Sequence, residues 1–173
     1  MFLALLVIGF LFTPSLAFAW GPLTHAYLAN EILSYLPLLP VGVASVLRKY
    51  KQDFLYGNLM ADMIIGKKYL PDDKSSHSWD VAMKLLEQAR SGQEESFVYG
   101  YLSHLAADTV AHETLTEDMR NMGHAWMEMK ADSMIKKTYW LQSVTISKSV
   151  QNRHDRFLEE SLAKGGVWII RAE

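Results

Sequence analysis

The sequence predicts an all-α, single-domain helical bundle. Three observations predict it. Apolar residues recur at helical spacing, as at Val81, Ala82, Leu85, Leu86 and Ala89. Proline, glycine and short polar runs punctuate these segments at Pro37, Pro40, Gly66, Ser91-Gly92, Gly123 and Gly165-Gly166. The alternating pattern of a half-buried strand is almost absent. The chain has 173 residues, 50% of them hydrophobic and 21% charged, which suits one globular domain with its own core rather than a disordered chain.

Taken in order, Met1 to Ala19 is an uncharged run rich in Leu, Phe, Val, Ile and Ala. Pro14 and Ser15 lead to Ala17-Phe18-Ala19, an A-x-A-like cleavage signal. Residues 1–19 are therefore expected to be a signal peptide, with a mature domain over 20–173 starting at Trp20, secreted or periplasmic. No Lys or Arg precedes the apolar run. The alternative is an uncleaved N-terminal membrane anchor, for which the run sits at the short end of the roughly 17–25 residues that span a bilayer.

Thr24 is placed to cap a helix from His25 to about Leu36, stopped by Pro37 and Pro40. Val41–Tyr50 and Asp53 to about Ile64 read as two further helices. Lys67–Ser78, with Pro71-Asp72-Asp73, reads as a loop. Trp79–Arg90 is helical, and Glu94 to about Leu115 is the strongest helix. Its small residues Gly100, Ala106, Ala107 and Ala111 imply a crowded, buried element. Further helices are expected from His124 to about Trp140 and from about Thr145 to Lys164. No repeat, low-complexity tract or Gly-rich phosphate loop is present.

The net charge of −2 argues against a general nucleic-acid binder, which carries a basic footprint. With no cysteine, the chain has neither disulfides nor thiolate zinc sites. Any metal must be held by His, Asp, Glu, backbone or water.

His104, Asp108 and His112 are spaced i, i+4, i+8, so they share about 80° of one helix face. Neighbours in this series can share a metal, whereas the outer pair is about 12 Å apart along the axis. The spacing thus points to more than one ion, with Asp108 as the natural bridge. An unpaired Asp buried between two His would be costly, and coordination removes that cost. His124 and Glu128 form a second i, i+4 pair, which by itself reads equally as a surface pair. In one straight helix His112 and His124 would be about 18 Å apart, and the break at Gly123 allows a return. Asp132 continues the stripe as a reserve ligand. The imidazole content favours zinc over magnesium.

These segments resemble the zinc-dependent phospholipase C family and its relatives, the single-strand-specific zinc nucleases. The matching stretches are Trp20-Gly-Pro-Leu-Thr-His25, Tyr56-Gly-Asn-Leu-Met-Ala-Asp62, His77-Ser-Trp, Gly100-Tyr-Leu-Ser-His104 through His112, and His124 with Glu128. The resemblance implies a cluster of two to three zinc ions. Trp20, through its free amine and carbonyl, and His25 would hold one zinc with Asp108 as the bridge. Asp62, His77, His104 and Asp108 would hold the second, and His112, His124 and Glu128 the third. Five of the six histidines are thereby used, and His154 is left over. The pattern departs from the family in two ways: His112 follows Asp108 closely, and the chain after Asp132 is short, so the helices that shape the cleft in larger relatives are expected to be absent or truncated.

The resemblance implies an exported zinc-dependent phosphodiesterase, in which a metal-bound hydroxide attacks phosphorus and Asp62 serves as base or orients the water. A phospholipid is the expected substrate, with transient contact at a membrane surface. A single-stranded nucleic acid is the runner-up, and a non-catalytic metal-binding or membrane-anchored domain is the competing class. Tyr69, Trp79, Tyr99, Tyr101 and Trp126 are candidates to cover a substrate, although packing is the more ordinary role for such residues.

Overall fold

The computed structural model describes residues 21–63, 76–111 and 121–163, excepting a few helix side chains that include His124 and Glu128. Within these ranges the protein is all-α, with no strand. The order is α1 (Pro22–Ser34), a short 3-10 turn (Leu36–Leu38), α2 (Val41–Lys49), α3 (Lys51–Met63), α4 (Trp79–Gln88), α5 (Gly92–Val110), α6 (Asn121–Met134), α7 (Thr138–Val144) and α8 (Lys148–Ala163).

α3 and α5 form the centre, and two glycines set how closely they approach. A Cβ on Gly57 would lie 1.8 Å from the Phe97 carbonyl oxygen, and one on Gly100 would lie 1.9 Å from that of Phe54. Only glycine lets the two backbones meet there. Polar bonds fasten the same seam. Asn58 Nδ2 donates to Ser103 Oγ at 3.0 Å, and Ser96 Oγ donates to the Tyr50 carbonyl at 2.9 Å. The tight crossing lies one helical turn before Asp62 on α3 and His104 on α5.

Tyr56, Ala61, Val81, Leu85, Phe97, Val98, Tyr101, Leu105, Leu158 and Leu162 form the main core, to which α3, α4, α5 and α8 contribute. A second cluster of Ala29, Leu36, Ala44, Leu47 and Phe54 joins α1 and α2 to it. α8 is also held by polar groups. Asp53 Oδ1 accepts from Arg153 Nη2 at 3.0 Å and lies 2.7 Å from His154 Nε2, while Tyr56 donates to Asp155 at 2.5 Å.

Several boundaries differ from those expected of the sequence. α5 starts at Gly92, because Ser91 and Glu94 form a capping box: Ser91 Oγ accepts from Glu94 N, and Glu94 Oε2 accepts from Ser91 N. Its continuation beyond Ala111 lies outside the described residues. The single helix expected over 124–140 is two helices, separated at Ile135–Lys137. The turn carries α7 back onto α1, where Tyr139 meets Tyr27 edge to face at 5.4 Å.

The start of α1 corrects two expectations. Thr24 is not its cap. The helix begins at Pro22 with Gly21 at the N-cap and no local side-chain bond. Asp132 of α6 does this work from 108 residues away, accepting from Thr24 N at 2.9 Å, Thr24 Oγ1 at 2.6 Å and Leu23 N at 3.3 Å. Gly21 makes room for it, since a Cβ there would sit 2.2 Å from Asp132 Oδ2. Asp132 is thus a helix-capping residue, and its carboxylate is committed to backbone and hydroxyl donors rather than to a metal.

Candidate metal centre

Four elements bring five of the expected ligands together. His25 lies early on α1, Asp62 near the end of α3, His77 in the turn before α4, and His104 and Asp108 on α5. The i, i+4 spacing of the last two places His104 Nε2 3.2 Å from Asp108 Oδ2. His77 Nε2 lies 3.2 Å from the same oxygen, and His25 Nε2 lies 3.0 Å from Asp108 Oδ1. The carboxylate therefore divides its two oxygens between different imidazoles. Asp62 Oδ1 stands 3.3 Å from His77 Nε2 and 3.7 Å from His104 Nε2.

The rings are tightly arranged. His25 stacks on His104 with centroids 3.7 Å apart and planes 15° from parallel, and His77 meets His104 edge to face at 5.2 Å. His25 and His104 are fully buried, while His77 and Asp62 are partly open. His77 is placed by its neighbour's backbone. The buried Tyr101 hydroxyl donates to the Ser76 carbonyl, and Ser76 Oγ lies 3.2 Å from His77 Nδ1. Burial, followed by the negative charge of Asp62, pushes the Tyr101 pKa well above its ordinary value, so this phenol stays a donor.

The charges of the centre follow from the same contacts. Burial would raise the Asp108 pKa, but the close imidazoles of His104, His25 and His77 outweigh it and hold the carboxyl far below its usual range. Burial lowers the pKa of His104, against the opposing pull of Asp108, which favours the neutral ring. An ionised carboxylate among neutral imidazoles is the state in which both are metal donors.

Whether these residues suit zinc is tested by their orphaned atoms. His25 Nε2 and Asp108 Oδ1 are buried 3.0 Å apart, yet the pair misses hydrogen-bond geometry and neither atom has a hydrogen-bond partner among the described residues. Three Nε2 atoms converge on two carboxylates where one proton-sharing pair would satisfy ordinary packing. Two overlapping sets, His25–Asp62–His104 and His77–His104–Asp108, each keep their donor atoms within 4.8 Å of one another. Imidazole and carboxylate donors so placed are a donor set that zinc takes, and the residues fit it. The outer support is uneven: His77 has Ser76, whereas Nδ1 of His25 and of His104 has no hydrogen-bond partner among the described residues.

Trp20 and His112 lie outside the described residues, as do the side chains of His124 and Glu128, so the third expected set is not part of this geometry. The substrate-covering candidates separate. Tyr101 is a buried anchor, Tyr99 packs against the second core cluster, Trp79 and Trp126 are exposed, and Tyr69 lies outside the described residues. The roles of Tyr101 and Asp132 had no sequence signal, because each is set by a partner distant in the chain.

Residues 24–165 match the family model described as zinc dependent phospholipase C. No curated protein and no solved structure matches the chain.

Proposed function

The chain belongs to the zinc-dependent phospholipase C family, and from that premise we propose that it is an exported phosphodiesterase that cleaves phospholipids at the glycerol–phosphate bond. The observation that supports this most is the division of Asp108 between His25 on one oxygen and His77 with His104 on the other.

Two zinc ions would share Asp108, one with His25 and the other with Asp62, His77 and His104; Trp20 would complete the first, and His112, His124 and Glu128 would hold a third. Zinc supplies Lewis-acid polarisation of a phosphoryl oxygen and lowers the pKa of a bound water from about 15.7 to about 7. Asp108 keeps its charge and both oxygens occupied, so it holds rather than transfers protons. Asp62 has the more open carboxylate, with its side chain 15% exposed against 9% for Asp108. It orients the attacking water and takes its proton. A bond forms from the water oxygen to phosphorus, the phosphorus–glycerol oxygen bond breaks, and the departing alkoxide takes up a proton. The products are diacylglycerol and a phosphorylated head group.

Among the described residues no helix is long and apolar enough to cross a membrane. Export would rest on cleavage before Trp20, which N-terminal sequencing of the exported protein tests. The activity itself is tested by incubating the zinc-loaded protein with phosphatidylcholine and with single-stranded DNA side by side. Release of the phosphorylated head group supports the proposal. Cleavage of the DNA alone would replace it with the nuclease assignment.

A further inference from the structure

α6 and α7 each turn one side to α1 and the opposite side to solvent, and the outward sides share a chemistry. On α6, Trp126, Met129, Lys130, Ser133 and Met134 fall within about 140° of the helix surface and all are exposed. Trp126 is 58% exposed, Met129 69% and Met134 77%, so nothing among the described residues covers this stripe. Asp132 lies about 120° around the helix from Trp126 and faces α1, where it caps the turn leading to His25. On α7, Tyr139 packs on Tyr27 of α1, while Leu141 and Val144 lie about 140–200° around from it and are exposed.

Single exposed apolar side chains are ordinary, but α6 carries three on one stripe and the helix that follows it adds two more. Among the described side chains of 121–144 the outward charge has one sign. Lys130, Lys136 and Lys137 are exposed, and Asp132 is the only acidic residue among the described side chains of 121–144 and is turned inward. The cation of Lys130 sits 4.8 Å from the centre of the Trp126 ring. The whole chain carries −2, so this cationic, apolar surface is a local segregation. Indole and thioether groups flanked by lysines suit the boundary between head groups and acyl chains, where tryptophan settles and lysine reaches outward to phosphate.

We propose that the outer face of α6 and α7 docks on an anionic phospholipid surface, bringing the metal centre to the bilayer. This inference rests on the phospholipase assignment for its purpose, but the contact itself does not require catalysis. α6 is suited to the task because one helix carries both the membrane-facing stripe and the carboxylate that anchors α1 beside the centre.

The test is co-sedimentation of the zinc-loaded full chain with vesicles of phosphatidylcholine alone or mixed with phosphatidylglycerol. The mixed vesicles are expected to bind at least about tenfold more tightly. The double change Met129→Ser and Met134→Ser should weaken the binding at least about tenfold, and Lys130→Glu, Lys136→Glu and Lys137→Glu should remove the preference for anionic lipid. Both variants should melt like the parent and cleave a soluble short-chain phosphodiester at the parental rate. Absence of vesicle binding by the parent, or parental binding by both variants, would overturn the proposal. So would a dimer in sedimentation equilibrium that the serine variant dissolves, since the face would then belong to a second copy. Failure to cleave the soluble diester while vesicle binding persists would instead count against the enzymatic assignment.

Discussion

Among the described residues this bundle holds two buried histidine–carboxylate groups, and they differ in stoichiometry. Around Asp53, a single imidazole, His154, meets one carboxylate at 2.7 Å, the Arg153 guanidinium supplies a positive charge, and the ring stacks on Phe97 with centroids 4.4 Å apart. That group is balanced within the protein and joins α8 to α3. Around Asp108, three imidazoles from α1, α5 and the turn before α4 aim Nε2 at one carboxylate, and a second carboxylate stands beside them. Each group contains orphaned atoms, so an unsatisfied nitrogen alone does not mark a metal site; His154 Nδ1 is one such atom. Several imidazole nitrogens converging on a shared carboxylate are a donor set that fits one.

The comparison is broken most forcefully at Asp108. Asp108→Ala should reduce zinc content by more than any other single ligand change and lower phosphodiesterase activity by more than about 100-fold, beyond the effect usual for an outer-shell partner. Loss of only one metal equivalent, read by elemental analysis, would show that Asp108 does not bridge. His154→Gln should leave zinc content and kcat unchanged while lowering unfolding free energy by about 1–3 kcal/mol, as expected for a buried polar pair left incomplete. A loss of zinc in that variant would erase the distinction between the two groups.

Chelation should act on one group alone. With zinc about a thousandfold above its Kd, binding contributes about 4 kcal/mol. At about 2–4 °C per kcal/mol, EDTA should lower the melting temperature by roughly 8–16 °C. The metal-free protein should then show the acid sensitivity of the centre. His104 has a folded pKa below its ordinary 6.5 through burial, and Asp108 one below 3.8 through the imidazoles beside it, so the unfolded chain binds more protons as pH falls. Stability from these groups is present above about pH 6.5 and declines as the pH drops below it, first through His104 and then, below 3.8, through Asp108. A chemical-denaturation series from pH 8 downward that stays flat would contradict this.

The smallest expected effect belongs to Asp132. Asp132→Ala removes the cap of α1 and should cost about 1 kcal/mol of stability. Zinc content at saturation should be unchanged, whereas a lost equivalent would restore this residue to the ligand set.

What was legible in the sequence was local. The i, i+4 spacing of His104 and Asp108 gave their shared face, since three or four residues return a helix to the same side. The apolar periodicity gave the helical class. Non-local devices were hidden. Nothing in Gly57 or Gly100 separately announces that their helices touch backbone to backbone, yet that contact aligns Asp62 with His104. Asp132 looked like one more member of a ligand stripe because helical spacing tells which face a residue occupies, not what lies opposite. The break at Ile135–Lys137 carries no local sequence signal, since it contains neither glycine nor proline. The Ser91–Glu94 capping box was written in the sequence at standard spacing, and the glycine between them masked it as a helix end.

The most direct test of the central claim is the zinc content of the purified full chain beside that of Asp108→Asn, which keeps the shape of the side chain and removes its charge. The account predicts at least two zinc ions per chain in the parent and a loss of more than one in the variant. One ion or none in the parent, or equal contents in the two proteins, would contradict a polymetal centre built on Asp108.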